Sequence, residues 1–339
     1  MTGDARSPLS YTVVVPTKDR REDADATVGV LFEQSRLPDR IVVVDASVPT
    51  YVPSPELLER ARHIGVDLVV LPSRPSVHVQ RNLGARHVET PIVLFLDDDV
   101  RIPPNYAEAL LARWERHGLE ALGGIQGTPA VVPRQGRLAR ALRRLAMLSY
   151  VDPSGDAMTL RRSGKVRYAP EPRGDVRVPV LGSGATAFRI DLALSHPFDE
   201  RFVGYTPGED LEMASRVAAE APLVQTPEVR WTHLWHPRER ISSTRWYVRG
   251  RCETYFRLRR LDRSPLTLAA FGVSLVADGG LALADSIRHR DSAHVWGFVR
   301  GVTQTLRDPP APARSWDAGV PDARDPKRPS GRRVSPPRS

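Results

Sequence analysis

The chain has 339 residues, 41% of them hydrophobic, with a formal net charge of +9 and one cysteine, Cys252. That length is enough for a full core in one large domain or two, and a lone cysteine excludes an internal disulfide and suits a reducing cytoplasm. The basic balance favours an anionic partner such as nucleotide phosphates, nucleic acid or an acidic membrane face, although from Arg307 onward eight basic residues already face only four acidic ones. Residues 1–10 lack the apolar core of a signal peptide. No window reaches the roughly 18 uninterrupted apolar residues expected of a membrane span. The nearest, residues 265–287, carries Asp278 and Asp285 and reads as two short helices broken near Gly279 and Gly280.

In chain order, Tyr11-Thr12-Val13-Val14-Val15 is a β-branched strand stopped by Pro16, and Thr17-Lys18-Asp19-Arg20-Arg21 is a polar turn before a helix over residues 23–34. Ile41-Val42-Val43-Val44 is a second strand, left through Asp45-Ala46-Ser47. A helix over 57–64, a strand over 68–71 and a helix over 79–87 carrying Gln80, Arg81 and Asn82 follow. This alternation predicts a mostly parallel sheet flanked by helices, with right-handed crossovers bringing the strand ends to one edge.

The next strand decides the chemistry. Ile92-Val93-Leu94-Phe95-Leu96 runs directly into Asp97-Asp98-Asp99. Three bare carboxylates are too costly to bury, so they belong at the strand's carboxyl end, in the crevice where open α/β sheets bind ligands. There they repel one another unless a cation intervenes, and an oxygen donor set suits Mg²⁺ or Mn²⁺. The plainer alternative is a solvated acidic turn. Pro16, Thr17, Asp19, Arg20 and Asp45 would line the same cleft, with Thr17 and the turn backbone holding base and ribose. Arg81 would neutralise a phosphate, and Gly84 would let its helix approach closely. Neither a Gly-x-x-x-x-Gly-Lys-Ser/Thr loop nor a Gly-x-Gly-x-x-Gly after the first strand is present.

Further on, a helix starts at Asn105, Gly123 to Gly127 read as strand and turn, and residues 133–149 form a helix. In that helix Leu138, Ala141, Leu142, Leu145 and Leu148 recur at helical spacing among Arg137, Arg140, Arg143 and Arg144. It suits either an anionic membrane surface or a core-packed helix with a solvated basic face. Residues 152–174 read as a mobile loop near the cleft. Gly208-Glu209-Asp210 opens a helix, where first-turn acids are favoured by the dipole for structural reasons alone. His233 and His236 follow in Trp231-Thr232-His233-Leu234-Trp235-His236, and residues 245–260 form a second basic amphipathic stretch.

Taken together, Val13-Val14-Val15-Pro16-Thr17-Lys18-Asp19-Arg20, residues 41–47, Arg81-Asn82-Leu83-Gly84-Ala85-Arg86 and Phe95-Leu96-Asp97-Asp98-Asp99 resemble the successive signatures of family 2 glycosyltransferases, over about residues 11–237. These are inverting, GT-A-fold enzymes that use nucleotide-diphosphate sugars. The resemblance implies a GT-A α/β fold, a Rossmann-like mostly parallel sheet. It implies metal ligation by Asp99 and then Asp97, and a ribose contact from Asp98. Asp45 becomes a base-recognising acid, without the usual second acid, since Val44 precedes it and Ala46 follows. Residues 181–189, with Gly184, resemble the glycine turn beneath the donor sugar. Asp210 takes the part of catalytic base and Glu209 a supporting one. His233 or His236 would complete the metal shell or touch the diphosphate.

The expected layout is a flexible 1–10, a GT-A domain over 11–240, a helical extension over 241–307 that docks on a membrane or partner, and a disordered basic tail over 308–339. The expected reaction moves a sugar onto a glycan or lipid-linked acceptor, with Mn²⁺ or Mg²⁺, at the inner face of the cytoplasmic membrane. The alternatives are a nucleotidyltransferase, which would want a glycine-rich basic loop after its first strand, and a nucleic-acid-binding protein, which the acid triplet disfavours. A silent relative that only binds a partner is a third.

Overall fold

A computed structural model describes residues 9–131, 135–169, 172–182, 184–201, 206–234 and 243–309. His236, most of the N-terminal arm and nearly all of the basic tail lie outside the described residues.

Four strands form one half of the main sheet: β1 (Tyr11–Thr17), β2 (Arg40–Asp45), β3 (Asp67–Pro72) and β4 (Ile92–Leu96). They are parallel in the order β3-β2-β1-β4, with Thr17 level with Asp45 and Val14 level with Phe95. Val13, Val14, Val15, Ile41 to Val44 and the whole of β4 are buried, because helices cover both faces. Each such side chain contributes about 1.5–3 kcal/mol. The covering helices are α1 (Arg21–Leu31), α2 (Pro55–Ile64) and α3 (Val77–Ala85). The Ser54 side chain caps α2, which ends on Gly65 at φ +74°.

After β5 (Val100–Arg101) and α4 (Tyr106–His117), β6 (Gly124–Pro129) enters the sheet. A short α5 (Arg137–Leu145) follows. Residues 152–174, expected to be a loop, instead carry strands. β8 (Thr159–Leu160) and β9 (Val166–Tyr168) pair antiparallel, with β7 (Tyr150–Val151) alongside β9. Two- and three-residue strands give no readable alternation, which is why the pattern missed them.

The sheet is completed by β10 (Val176–Val178), β11 (Ala185–Arg189) and β12 (Leu223–His233), in the order β10-β12-β6-β11-β4. β11 runs antiparallel to both β4 and β6, so the sheet is mixed. Between β11 and β12 lie α6 (Ile190–Ser195) and α7 (Glu209–Ala218).

The C-terminal helices are α8 (Ser243–Arg260), α9 (Pro265–His289) and α10 (Ala293–Arg307). The break expected at Gly279 and Gly280 is absent, and α9 is continuous. Asp278 anchors it through Lys165 at 2.9 Å and Arg249 at 3.3 Å, and Phe298 packs beside Gly279. That packing offsets the roughly 0.5–1 kcal/mol each mid-helix glycine costs. The helix is long and apolar enough to cross a membrane by length and composition alone, with a third of its most apolar window buried in the fold. Glu253 joins the same ion cluster. Burial pushes its carboxyl up, but Lys165 and Arg249 outweigh this and hold it down at about 2.

Candidate active site

The site forms where β1, β2 and β4 end together and β12 and α7 close over them. Its hub is α3, which puts three consecutive polar residues into the interior: Gln80, Arg81 and Asn82 are all at least nine-tenths buried. Consecutive helical residues point about 100° apart, so the three reach different partners. Gln80 Nε2 donates to the carbonyls of Thr17 and Val44, both at 2.7 Å, and staples the ends of β1 and β2. Asn82 clamps Phe198 with two 2.9 Å hydrogen bonds and donates to Glu200. Arg81 donates to Asp97 Oδ1 at 2.7 Å and to Glu209 Oε1 at 3.2 Å, its guanidinium 5.4 Å from the Phe198 ring. It thereby joins the acid triplet to the start of α7.

The triplet's three carboxylates diverge. Asp97 turns toward Arg81 and stays about a quarter exposed. Asp98 is buried, taking a 2.7 Å hydrogen bond from Thr17 Oγ1 and one from Arg20 at 3.1 Å. Burial pushes its carboxyl up to about 6, against the pull of Thr17 and Arg20. Asp99 receives Arg20 on Oδ2 at 3.2 Å, while its Oδ1 lies 3.5 Å from His233 Nε2. A register shift in β12 between Thr226 and Arg230 re-aims that strand, which then pairs with β5 and sets His233 beside Val100.

A divalent cation is tested by these donors. Among the described residues, no three His, Cys, Asp or Glu side chains gather as a metal cluster. Asp99 with His233 is the convergent pair, an oxygen and a nitrogen donor that suit Mn²⁺ and can be completed by diphosphate oxygens. Asp97, expected as a ligand, has one oxygen committed to Arg81 because a guanidinium so deeply buried needs a counter-charge.

The remaining expected residues separate into cleft and scaffold. Pro16 is buried in β1, level with Val44. Asp19 is exposed at φ +56°, its amide held by Ser47 Oγ at 2.8 Å. Asp45 is 1% exposed, and its oxygens accept from the Ser47 amide and hydroxyl and from the Tyr51 amide at 2.6 Å. It therefore organises the 47–51 loop beside Thr17. Gly84 faces β1: a Cβ there would lie 2.3 Å from Val14 Cγ1, so only glycine lets α3 lie on β1. Gly184 accepts from the Asp97 amide at 3.0 Å, and a Cβ there would meet Asp97, Val100 and Trp231 at 3.5–3.8 Å. Trp231 donates its indole N–H to Gly127 rather than standing free.

On α7, entered through Gly208 at φ +96°, Glu209 and Asp210 lie in the first turn. Burial first, and the neighbouring Asp210 charge second, push Glu209 up to about 8, with Arg81 opposing. Glu209 is thus held above the ordinary carboxylate range. Asp210 is partly exposed, with one oxygen on the Leu211 amide and the other beside Gly182. α8 braces this turn from behind: Arg259 reaches Glu212 at 2.9 Å and Phe256 lies against Gly208. His78, missed in the sequence, stacks on Phe256 and contacts Thr206. Burial, then Arg81, lower its pKa to about 4, so it is neutral.

The family model described as glycosyl transferase family 2 matches residues 12–160. Over that stretch, which is less than half of its length, the chain is similar to family 2 glycosyltransferases. Its fold is GT-A. The mannosyltransferase PcManGT from Pyrobaculum calidifontis, in complex with GDP-Man and Mn²⁺, is 15% identical with a TM-score of 0.50 over 89% of this chain and 88% of that one. GalNAc-T7 with UDP, GalNAc and Mn²⁺ is 13% identical with a TM-score of 0.51, over 89% of this chain and 58% of that one. TarS of S. aureus is 16% identical with a TM-score of 0.50, over 78% and 43%. The chain thus spans less than two thirds of the length of TarS and GalNAc-T7, and at these identities the likeness carries the fold alone. A comparison with curated proteins gives no match.

Proposed function

We propose that this protein is a metal-dependent, inverting glycosyltransferase, moving a sugar from a nucleotide-diphosphate sugar to a hydroxyl of a glycan or lipid-linked acceptor. The observation that carries the reading is the double contact of Arg81, which ties Asp97 of the triplet to Glu209 beside Asp210 and so makes one cleft of two distant acidic motifs. The donor's nucleotide lies along the 16–20 turn, with Asp45 acting through the 47–51 loop it holds. Arg20 and Arg81 supply positive charge near the diphosphate. Asp99 and His233 would hold the cation, which when bound stabilises the negative charge developing on the departing diphosphate.

Asp210 is the general base. The acceptor oxygen bonds to the anomeric carbon, the carbon–phosphate-oxygen bond breaks, and the nucleoside diphosphate leaves with the electron pair. The acceptor's proton passes to Asp210. A single displacement inverts the anomeric configuration. Glu209 positions the turn through its contact with Arg81, which also offsets its charge beside Asp210. The test is a thermal-shift screen of nucleotide-diphosphate sugars with and without Mn²⁺, since a ligand of the folded state raises its melting temperature by mass action. A donor that stabilises only with Mn²⁺ supports the reading. A screen in which no nucleotide sugar shifts the transition under either condition counts against it.

A further inference from the structure

The helix α5 is amphipathic, yet it is mounted with its apolar side outward. Leu138, Leu142 and Leu145, on one stripe, are 74%, 56% and 76% exposed, and no residue of the helix is buried. The opposite side, turned to the protein, carries Arg140 and Arg143, and Arg143 donates to the Ser149 carbonyl at 3.2 Å. Arg137 and Arg144 lie together along one side of the leucine stripe and are exposed. The nine residues contain four arginines and no acid. The core-packed alternative for this helix, with leucines inward and arginines solvated, is therefore overturned. A helix that spends its basic side on its own domain and gives its leucines to the outside has an apolar neighbour that the described residues do not supply.

We propose that α5 is a membrane-surface helix, its leucines seated at the headgroup boundary of an anionic lipid bilayer with Arg137 and Arg144 reaching up to lipid phosphates. Charge selects this occupant. A second copy joined through the same stripe would set like-charged arginines against each other across the twofold axis. A nucleic acid would pair with the arginines but leave the leucines in water. Long arginine side chains beside an apolar stripe suit the interface, where stem and head lie in different media.

The helix is rigidly tied to the rest of the enzyme. Arg161 donates to the carbonyls of Arg143, Arg144 and Leu148, and the turn that follows packs Gly164 against Arg257 of α8 and Leu261 just after it. Just beyond, Leu266 at the start of α9 is 67% exposed. Docking of α5 thus fixes the position of the whole catalytic domain relative to the bilayer. The inference stands on α5 alone and does not depend on the assignment of the reaction.

The test is flotation of the full-length protein with phosphatidylglycerol-containing vesicles and with pure phosphatidylcholine vesicles, at low and high salt. The wild type should float with the anionic vesicles only, and less at high salt. The combined variant Leu138→Gln, Leu142→Gln, Leu145→Gln should lower the bound fraction about tenfold or more. Its thermal transition should be unchanged, because the replaced side chains touch no core. As a gain of signal, Leu142→Cys carrying a polarity-sensitive dye should shift to the blue on anionic vesicles, Cys252 being buried. A wild type that stays in the soluble fraction with anionic vesicles overturns the proposal. So does a triple variant that floats equally well, or a wild-type dimer in light scattering that the triple variant dissolves to monomer.

Discussion

Arg81 donates to Asp97 over 2.7 Å from a site where its side chain is only 3% exposed. An isolated guanidinium at that depth is untenable, and its second carboxylate, Glu209, lies 128 residues along the chain. The pairing is what gathers the motifs of β4 and α7 into one cleft.

Removing the guanidinium leaves buried acids without their cation. Arg81→Ala should cost about 3–5 kcal/mol in chemical denaturation, as expected for breaking a buried pair from one side. Arg81→Lys should recover only part of this, because one ammonium lacks the planar fork that serves both acids. Equal stability of wild type and Arg81→Ala would show that the bridge is not structural.

Two glycines in helices should respond oppositely. Gly84→Ala drives a methyl into Val14 and should cost about 1–3 kcal/mol. Gly29→Ala meets nothing within 4 Å and should stabilise by about 0.4–1 kcal/mol. Thermal melts of the two single variants decide it.

The pH dependence of stability carries a signature of Glu209. Its folded pKa, about 8, lies above its ordinary 4.5, so the folded state holds an extra proton between those values. The stabilising contribution is full below about 4.5 and is lost as pH climbs through about 8. Glu253 has the opposite sign: held down at about 2, its contribution is present above about 4.5 and lost as pH falls through 2. Glu209→Gln should therefore flatten the melting temperature between pH 6 and pH 9, while leaving the acid limb unchanged. An unaltered alkaline decline in that variant would contradict the assignment.

Metal dependence should map onto Asp99 and His233. With the donor found by thermal shift, Asp99→Asn and His233→Ala should each abolish most of the Mn²⁺-dependent increment. A chelator should do the same to the wild type. Asp45→Asn should act differently, loosening the 47–51 loop and weakening nucleotide binding with or without metal.

Much of this fold was legible in advance. The continuous runs of β1, β2 and β4 could only be interior strands, and the acids after β4 had to sit at its end. The interior polar residues were not legible. Gln80 and Asn82 look like any solvated helical positions, because their partners are backbone groups at Thr17, Val44 and Phe198 that no local pattern reveals. Asp45 reads as a ligand contact, and in the structure its oxygens accept hydrogen bonds from its own loop, an arrangement that a carboxylate at a strand end does not announce in the sequence. The outward leucines of α5 were likewise ambiguous: periodicity gives a stripe but not the side on which the protein lies.

The proposed reaction rests on Asp210. The decisive experiment is the rate of nucleoside diphosphate release from the donor, with saturating acceptor, for wild type and Asp210→Asn. The variant should bind the donor as the wild type does, by calorimetry, and turn over about 10²–10⁴-fold more slowly. Turnover within a few-fold of wild type would remove Asp210 from the chemistry and the proposed mechanism with it.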